Sequence, residues 1–253
     1  LAHLLSELEN DLSPEEVQIS GFAEIEIDKL LNEYGLNGKQ SEEDNFDPEA
    51  EAKKIKNPDS KRGEIYQLDK HRLMCGDATS KEDVEKLMAG KKADMIFTDP
   101  PYNVNYGVSK NPRHKIRNLV SDNQTPQQWH DFCKELSQRI KEVCLGDIYC
   151  WTASGPEGMI FRLALIENGC HWSATIIWVK QQLVLSPANY QRKYEPCFYG
   201  WFEKSSFCGD RKQTEVWEID RPLNSKSHPT MKPLALCSNG IKNSIKPGEI
   251  DLY

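Results

Sequence analysis

The chain of 253 residues is long enough for one medium-sized domain, or for a domain with an appendage. Its net charge of −7 is unevenly spread, because residues 1–60 carry 16 acidic and 5 basic side chains, whereas residues 61–253 carry 23 and 27. The overall acidity therefore does not exclude a nucleic-acid partner for the second part. Neither a bilayer-spanning apolar run nor a signal-peptide pattern is present, so we expect a cytoplasmic protein without a membrane partner.

The N-terminal part of the sequence contains two regions of different composition. Residues 1–35 carry apolar side chains at helical spacing, and Ser13 followed by Pro14 and two glutamates is typical of a helix N-terminus. Residues 36–62 are charged and poor in apolar side chains. We therefore predict a small helical segment over 1–35, a charged linker over 36–62 and a main domain over 63–253.

From Gly63 onward, short apolar runs alternate with amphipathic stretches. The predicted strands are 64–68, 72–75, a run ending at 97, 147–153, 172–179 and 195–202. The predicted helices are 80–88, 129–143, 158–168 and 233–241, and a further apolar run starts at 250. This alternation favours an α/β fold with a parallel sheet and helices on both faces.

The most informative stretch is Asp99–Tyr102, which follows the apolar run Met95–Phe97. Each proline fixes its own φ and holds the preceding residue extended, so successive carbonyls point in fixed directions at the end of a strand. Ligands bind at such strand ends in open α/β sheets. The carboxylate and carbonyls suit an amino group, and the Tyr102 ring suits a planar heterocycle, so the stretch predicts a site for the exocyclic amine of a nucleobase. A rigid turn with Tyr102 as a packing residue explains the tetrapeptide equally well.

The cysteine pattern does not indicate a metal site. The eight cysteines form no CxxC pair and lack the spacing of a metal finger. Most of them lie in apolar runs, which indicates buried free thiols in a cytosolic protein.

Five motifs in the main domain resemble, in order, those of the S-adenosylmethionine-dependent DNA amino-methyltransferases of the β arrangement, in which Asp-Pro-Pro-Tyr precedes the cofactor loop. They are Leu73–Ala78, Asp99–Asn103, Tyr194–Trp201, His228–Pro233 and Gly248–Tyr253. The resemblance implies a Rossmann-like sheet, S-adenosylmethionine as cofactor and adenine N6 in double-stranded DNA as methyl acceptor. The target base is expected to leave the helix, because its amine cannot be reached inside the stack.

The resemblance also implies roles for individual residues. The expected catalytic residues are Asp99, Pro100, Pro101 and Tyr102, and no covalent enzyme intermediate is needed. The expected cofactor-binding residues are Asp77, Ala78, Asp99, His228, Thr230, Lys232 and Asp251. Simpler interpretations stay open, since Asp77 can cap the following helix and His228 can shape a turn. A lysine at a helix start is unfavourable for the helix dipole, so a carboxylate partner explains Lys232.

Basic residues in three stretches are candidates for contact with DNA phosphates. They are Lys110, Arg113, Lys115, Arg117, Arg192, Lys193, Arg211 and Lys212. For residues 105–117, which directly follow the motif, a solvated surface loop is the alternative.

Two further expectations concern the ends of the chain. Residues 1–35 resemble the tail of a ParB-like domain, as found fused to such methylases in phage-type proteins, so we expect a bacterial or phage-encoded protein of the restriction-modification type. The glycine-rich cofactor loop of the family is not found before Tyr253. The resemblance also allows a homodimer.

Three alternative functions remain open from the sequence. The N4 amine of cytosine is also attached to a conjugated ring, so cytosine-N4 methylation is the nearest alternative. A ParB-like DNA-binding protein with a degenerate methylase half is the second. A structural α/β domain that binds neither cofactor nor DNA is the third.

Overall fold

The computed structural model describes residues 54–55, 59–104, 122–184, 189–220 and 232–253. All of them belong to one compact unit, Asn45–Tyr253. Some predicted features lie outside the described residues. They are the helical segment 1–35 with its ParB-like resemblance, most of the linker 36–62, the loop residues Lys110, Arg113, Lys115 and Arg117, and the cofactor candidates His228 and Thr230.

The described elements follow the predicted order closely. They are β1 (Ile65–Leu68), β2 (His71–Met74), α1 (Lys81–Met88), β3 (Ala93–Thr98), α2 (Pro126–Val143), β4 (Cys144–Trp151), α3 (Pro156–Glu167), β5 (His171–Val184), β6 (Arg192–Trp201), β7 (Val216–Glu218), α4 (Leu234–Ser244) and β8 (Asp251–Leu252). The short strand β7 was not predicted, and β5 is several residues longer than expected.

The main sheet has the strand order β7-β5-β6-β4-β3-β8, and β1 pairs with β2 in a separate hairpin. The prediction of a parallel sheet was wrong. Strand β3 runs parallel to β4 and β8, and β5 parallel to β7, but β6 runs antiparallel to both β4 and β5. The connection 185–191 is too short for the crossover of about a dozen residues that a parallel pair requires, so the chain reverses between β5 and β6.

Helices cover both faces of this sheet, as predicted. Ile96 of β3 packs in one cluster with buried residues of α1, α2 and α3. Its neighbours Met95 and Phe97 point to the other face and pack in a cluster with Leu236 of α4. A Cβ at Gly240 of α4 would come within 2.8 Å of the Phe97 ring, so a residue without a side chain lets this helix lie directly on the sheet. The Rossmann-like α/β arrangement is confirmed.

The direction of β6 decides which residues share one edge of the sheet. Thr98 of β3 pairs with Cys150 of β4, and Trp151 of β4 pairs with Cys197 of β6. Because β6 runs the opposite way, its first residues lie where β3, β4 and β5 end. We call this edge the site edge. Residues after Trp201, which pairs with Asp147, leave the sheet at the opposite edge.

All eight cysteines lie in the described parts of the chain and are free thiols. Five are buried, whereas Cys75 and Cys208 are exposed, so the expectation of buried thiols fails at these two positions. Within the described residues, every helix is too short or too polar to cross a membrane.

Candidate active site

Residues Asp99–Tyr102, here called the acceptor hook, begin directly after β3 at the site edge. The hook is anchored beyond its last residue by Asn103, which adopts a left-handed conformation with φ of 53°. Asparagine tolerates this conformation better than most residues. The Asn103 amide accepts from Gln124 N–H at 2.6 Å and donates to the Gln124 carbonyl at 3.2 Å. The hook is therefore fixed at both ends, by the sheet and by the segment before α2.

Both carboxylate oxygens of Asp99 accept hydrogen bonds from within the chain. The Tyr102 hydroxyl donates to Oδ1 at 2.9 Å, and the Lys232 ammonium donates to Oδ2 at 2.7 Å. The Asp99 side chain is 23% exposed, whereas that of Lys232 is only 3% exposed. A carboxylate oxygen can accept more than one hydrogen bond, so Asp99 keeps acceptor capacity while these donors fix its orientation.

Lys232 lies just before α4 and uses its whole donor capacity within this site. Its Nζ donates to Asp99 Oδ2, to the Tyr102 hydroxyl oxygen at 3.2 Å and to Glu195 Oε2 at 3.1 Å. An ammonium group has three protons, and these three acceptors account for them. The predicted contact of Lys232 with a cofactor carboxylate stays a prediction, and it requires Lys232 to release one of these acceptors.

Two charged residues that sequence reasoning missed complete the site. Lys180 of β5 donates to Oε1 of Glu195 on β6, and its ammonium lies 4.9 Å from the centre of the Trp178 ring. The side chains of Lys180 and Glu195 are 10% and 23% exposed. We call Asp99, Lys180, Glu195 and Lys232 the charge cluster. A lysine and a glutamate directly beside the apolar stretches of β5 and β6 were a signal for Lys180 and Glu195, but only the pairing of β5 with β6 brings them together.

The surroundings shift the pKa values of three groups at this site. Burial alone would raise the pKa of Glu195, but Lys232 and Lys180 outweigh burial and lower that pKa below its ordinary value. Burial alone would lower the pKa of Lys232, but Asp99 and Glu195 outweigh it and raise that pKa. Burial and the neighbouring carboxylates raise the pKa of Tyr102 well above its ordinary value. At neutral pH, Glu195 and Lys232 are therefore charged and Tyr102 is neutral.

The predicted cofactor residues Asp77 and Ala78 line a separate cavity of about 180 Å³ between α1, α2 and the strands β3 and β8. Its walls are mainly apolar, and it is smaller than the roughly 300–1,000 Å³ of typical whole-ligand sites. It therefore suits one ring system rather than an entire cofactor. Asp77 Oδ1 accepts from the N–H and hydroxyl of Thr79, and these bonds lower the pKa of Asp77. Its Oδ2 lies 3.3 Å from the Arg62 guanidinium.

Asp251, another predicted cofactor residue, carries a buried oxygen without a partner. Among the described residues, none donates a hydrogen bond to Asp251 Oδ1. Burial raises the pKa of Asp251 from 3.8 to about 6. The next residue, Leu252, lines the cavity. An orphaned acceptor at this position fits a ligand that brings a hydrogen-bond donor.

Replacing Asp251 with asparagine is expected to raise the free energy of unfolding by about 1–2 kcal/mol at pH 7.5, because an amide avoids burying a charge. The folded-state pKa of about 6 lies above the ordinary value of 3.8. Ionised Asp251 thus destabilises the fold above pH 6, and this effect fades as the pH falls from 6 towards 4. Urea denaturation at several pH values measures the difference. A gain that does not change with pH would contradict the assignment, and the exposed Asp59→Asn variant is the control.

The predicted DNA-contact residues that the structure describes form two pairs, which lie at opposite edges of the sheet. Arg192 and Lys193 are exposed at the start of β6, on the site edge. Arg211 and Lys212 are also exposed, but their turn contacts the last turn of α4, where Gln213 donates a 2.8 Å hydrogen bond. That contact lies at the opposite edge. Only the first pair is on the same side as the hook.

Residues 93–252 match the family model N6_N4_Mtase, described as DNA methylase. The matched segment covers more than half of the chain and includes the acceptor hook and the whole charge cluster. The chain belongs to this DNA methylase family. The resemblance inferred from the motifs is confirmed at the level of a DNA methyltransferase family.

Within the described residues, no three His, Cys, Asp or Glu side chains are grouped to hold a metal ion.

Three proteins or structures that match this chain share less than a quarter of their aligned residues with it. The type II methyltransferase M.HpaI of Haemophilus parainfluenzae is 24% identical over 206 residues, which are 72% of this chain and 62% of the relative. The chain thus spans less than two thirds of that relative. The crystal structure of the M1.HpyAVI–SAM complex aligns with 20% identity and a TM-score of 0.46, covering 67% of this chain and 75% of that one. A crystal structure of M1.HpyAVI aligns with 18% identity and a TM-score of 0.45, covering 67% and 74%.

Proposed function

We propose that this chain transfers a methyl group from S-adenosylmethionine to the N6 amine of adenine in double-stranded DNA. The observation that carries the proposal is the place of Asp99 and Pro100, a carboxylate and a carbonyl side by side at the carboxyl end of β3. This is the edge at which open α/β sheets bind ligands. Membership of the DNA methylase family supports the reaction type. An aspartate at the first hook position resembles the adenine-specific members.

In this proposal the hook activates a weak nucleophile. Asp99 and the Pro100 carbonyl accept hydrogen bonds from the two amine protons. The amine lone pair is delocalised into the ring, and two acceptors on one side favour a pyramidal nitrogen with its lone pair directed outward. The nitrogen would take the methyl group that bound S-adenosylmethionine supplies, and one of its two hydrogen-bonded protons would pass through Asp99 to solvent. Alignment of the two reactants supplies much of the rate.

Tyr102 is proposed to stack on the extruded base. Its hydroxyl is held by Asp99 Oδ1 and its ring is half-buried at the site edge, so the ring plane is set before the base arrives. Stacking of a base on an aromatic side chain contributes about 1–3 kcal/mol. A base flipped out of the duplex exposes both its amine and its flat face.

The cofactor is proposed to lie between the cavity and the hook. The apolar walls next to Asp77 and Ala78 fit a flat heterocycle, and the unpartnered oxygen of Asp251 fits a donor from the ligand. When bound, S-adenosylmethionine supplies an electrophilic methyl group. His228, Thr230 and Lys232 are proposed to contribute donors for its carboxylate.

DNA is proposed to contact the site edge through Arg192 and Lys193, which are exposed at the start of β6. Phosphate contacts of this kind fix the register of a protein on DNA without reading its sequence. A homodimer, a phage origin and a role in restriction-modification remain predictions from the resemblance.

Nucleoside mass spectrometry of duplex DNA treated with the full-length protein and S-adenosylmethionine tests the proposal. The expected product is 6-methyladenine, since an aspartate at the first position of the hook resembles the adenine-specific members. Detection of 4-methylcytosine would show that cytosine, and not adenine, is the methyl acceptor. Unmodified DNA, with a reaction lacking the cofactor as the blank, would favour a DNA-binding protein whose methylase part is inactive.

A further inference from the structure

Glu195 shares two donor groups with Asp99. The Lys232 ammonium is shared between Asp99 Oδ2 at 2.7 Å and Glu195 Oε2 at 3.1 Å. The Tyr102 hydroxyl is likewise 2.9 Å from Asp99 Oδ1 and 3.3 Å from Glu195 Oε2. In both cases Asp99 has the shorter contact. Glu195 therefore limits how fully these donors are committed to Asp99.

Lys180 balances the charge that Glu195 adds. It donates to Glu195 Oε1, the oxygen that Lys232 and Tyr102 leave free. The charge cluster thus contains two carboxylates and two ammonium groups and is neutral as a whole. A buried charge without a partner is strongly unfavourable, so each of the four groups depends on the others.

We propose that Glu195, held in place by Lys180, is a positioning residue that sets the orientation and the hydrogen-bonding capacity of Asp99 for the substrate amine. The inference rests on the proposed function of the hook. Without Glu195, the Lys232 ammonium pairs with Asp99 alone, and a carboxylate that is fully paired with a cation is a poorer acceptor for a neutral amine. Glu195 does not touch the substrate in this account, because it acts through Lys232 and Tyr102.

The distinguishing experiment compares charge-altered variants of the full-length protein in single-turnover methyl transfer. Glu195→Gln keeps the side-chain shape but leaves the cluster with one excess positive charge, and Lys180→Met leaves one excess negative charge. Each is expected to slow methyl transfer by about tenfold or more, the scale on which supporting residues affect an active site. The double variant is neutral again but still lacks Glu195, so it is expected to stay about as slow as Glu195→Gln.

Separate measurements distinguish positioning from general damage. Dissociation constants for duplex DNA and for S-adenosylmethionine are expected to stay within about threefold of wild type, so the loss falls on the transfer step. Glu203→Gln with Lys204→Met, two exposed charges at the opposite edge, is the matched control and is expected to leave the rate unchanged. Melting temperatures of the single and double variants equal to that of the wild type would show that the loss of rate is not a loss of folding.

Two outcomes would overturn the inference. A Glu195→Gln rate within twofold of wild type excludes a positioning role, and so does a double variant as fast as wild type, because net charge rather than Glu195 would then set the rate. The Asp99→Ala variant separates this failure from failure of the proposed function. If Asp99→Ala is inactive and Glu195→Gln is fully active, only the role of Glu195 is wrong. If Asp99→Ala is fully active, the function of the hook itself is wrong.

Discussion

Replacing Asp99 with alanine is expected to lower the single-turnover rate of methyl transfer by about 10³-fold while the protein stays folded. Loss of one preorganised hydrogen-bonding group in an active site costs about 10²–10³ in rate. Here the change also leaves the Lys232 ammonium facing the substrate amine, donor against donor. The fold is expected to survive, because Lys232 keeps Glu195 and Tyr102 as acceptors. Transfer of isotopically labelled methyl groups from S-adenosylmethionine to duplex DNA measures the rate.

Asp99→Asn is the matched control for this prediction. Asparagine keeps the shape and one carbonyl acceptor, so it is expected to retain more activity than alanine. Circular dichroism and urea denaturation of both variants check that the loss of rate is not a loss of folding. Full activity of Asp99→Ala would show that the hook does not bind the amine.

Replacing Asp147 with alanine is expected to lower the free energy of unfolding by about 3–5 kcal/mol. Asp147 is completely buried at the start of β4. Its Oδ1 accepts from Ser206 N–H at 3.1 Å, and its Oδ2 accepts from the Ser244 hydroxyl at 2.6 Å and the Tyr199 hydroxyl at 3.2 Å. The variant removes the acceptor of the Ser206 N–H, and it leaves the Ser244 and Tyr199 hydroxyls only their contacts with Tyr149 at 2.9 Å and Ser205 at 3.4 Å. Since whole domains are stable by only about 5–15 kcal/mol, this one carboxylate carries a large share.

Asp147→Asn separates lost acceptors from lost volume. The amide fills the same space and keeps one good acceptor, so a smaller loss of about 1–2 kcal/mol is expected. Urea denaturation measures both differences, provided that the slope of the unfolding free energy against urea concentration is the same for all variants. A loss below about 1 kcal/mol for alanine would contradict the structural role, because three hydrogen bonds to a buried carboxylate would then contribute almost nothing.

Short-range signals account for what the sequence predicted well. Helix α1 starts where Ser80 caps the N–H of Asp83, and the prediction of 80–88 agrees with it. Helix α2 starts earlier than the predicted residue 129, because Thr125 and Gln128 form a capping box that the apolar spacing alone did not indicate. Both the helices and the hook follow from residues within a few positions of each other.

Long-range pairing explains what the sequence did not predict. Asp99 and Lys232 are 133 positions apart, so their ion pair is set by the packing of α4 against the sheet. The sheet was expected to be parallel, and in such a sheet Glu195 would start its strand at the edge away from the hook. The reversal of β6 brings Glu195 to Asp99 instead. Strand direction is a tertiary property, whereas hydrophobic runs report only that a strand exists.

The β5–β6 hairpin joins two parts that differ in their tolerance to change. Its base is fixed by the pairing of Trp178 with Glu195, which also sets the place of Lys180. Its outer part begins with the exposed residues Arg192 and Lys193. Because both strands leave the base side by side, insertions within 185–191 lengthen the hairpin without moving the charge cluster. In the proposed function, contact of Arg192 and Lys193 with DNA can therefore change without disturbing the charge cluster.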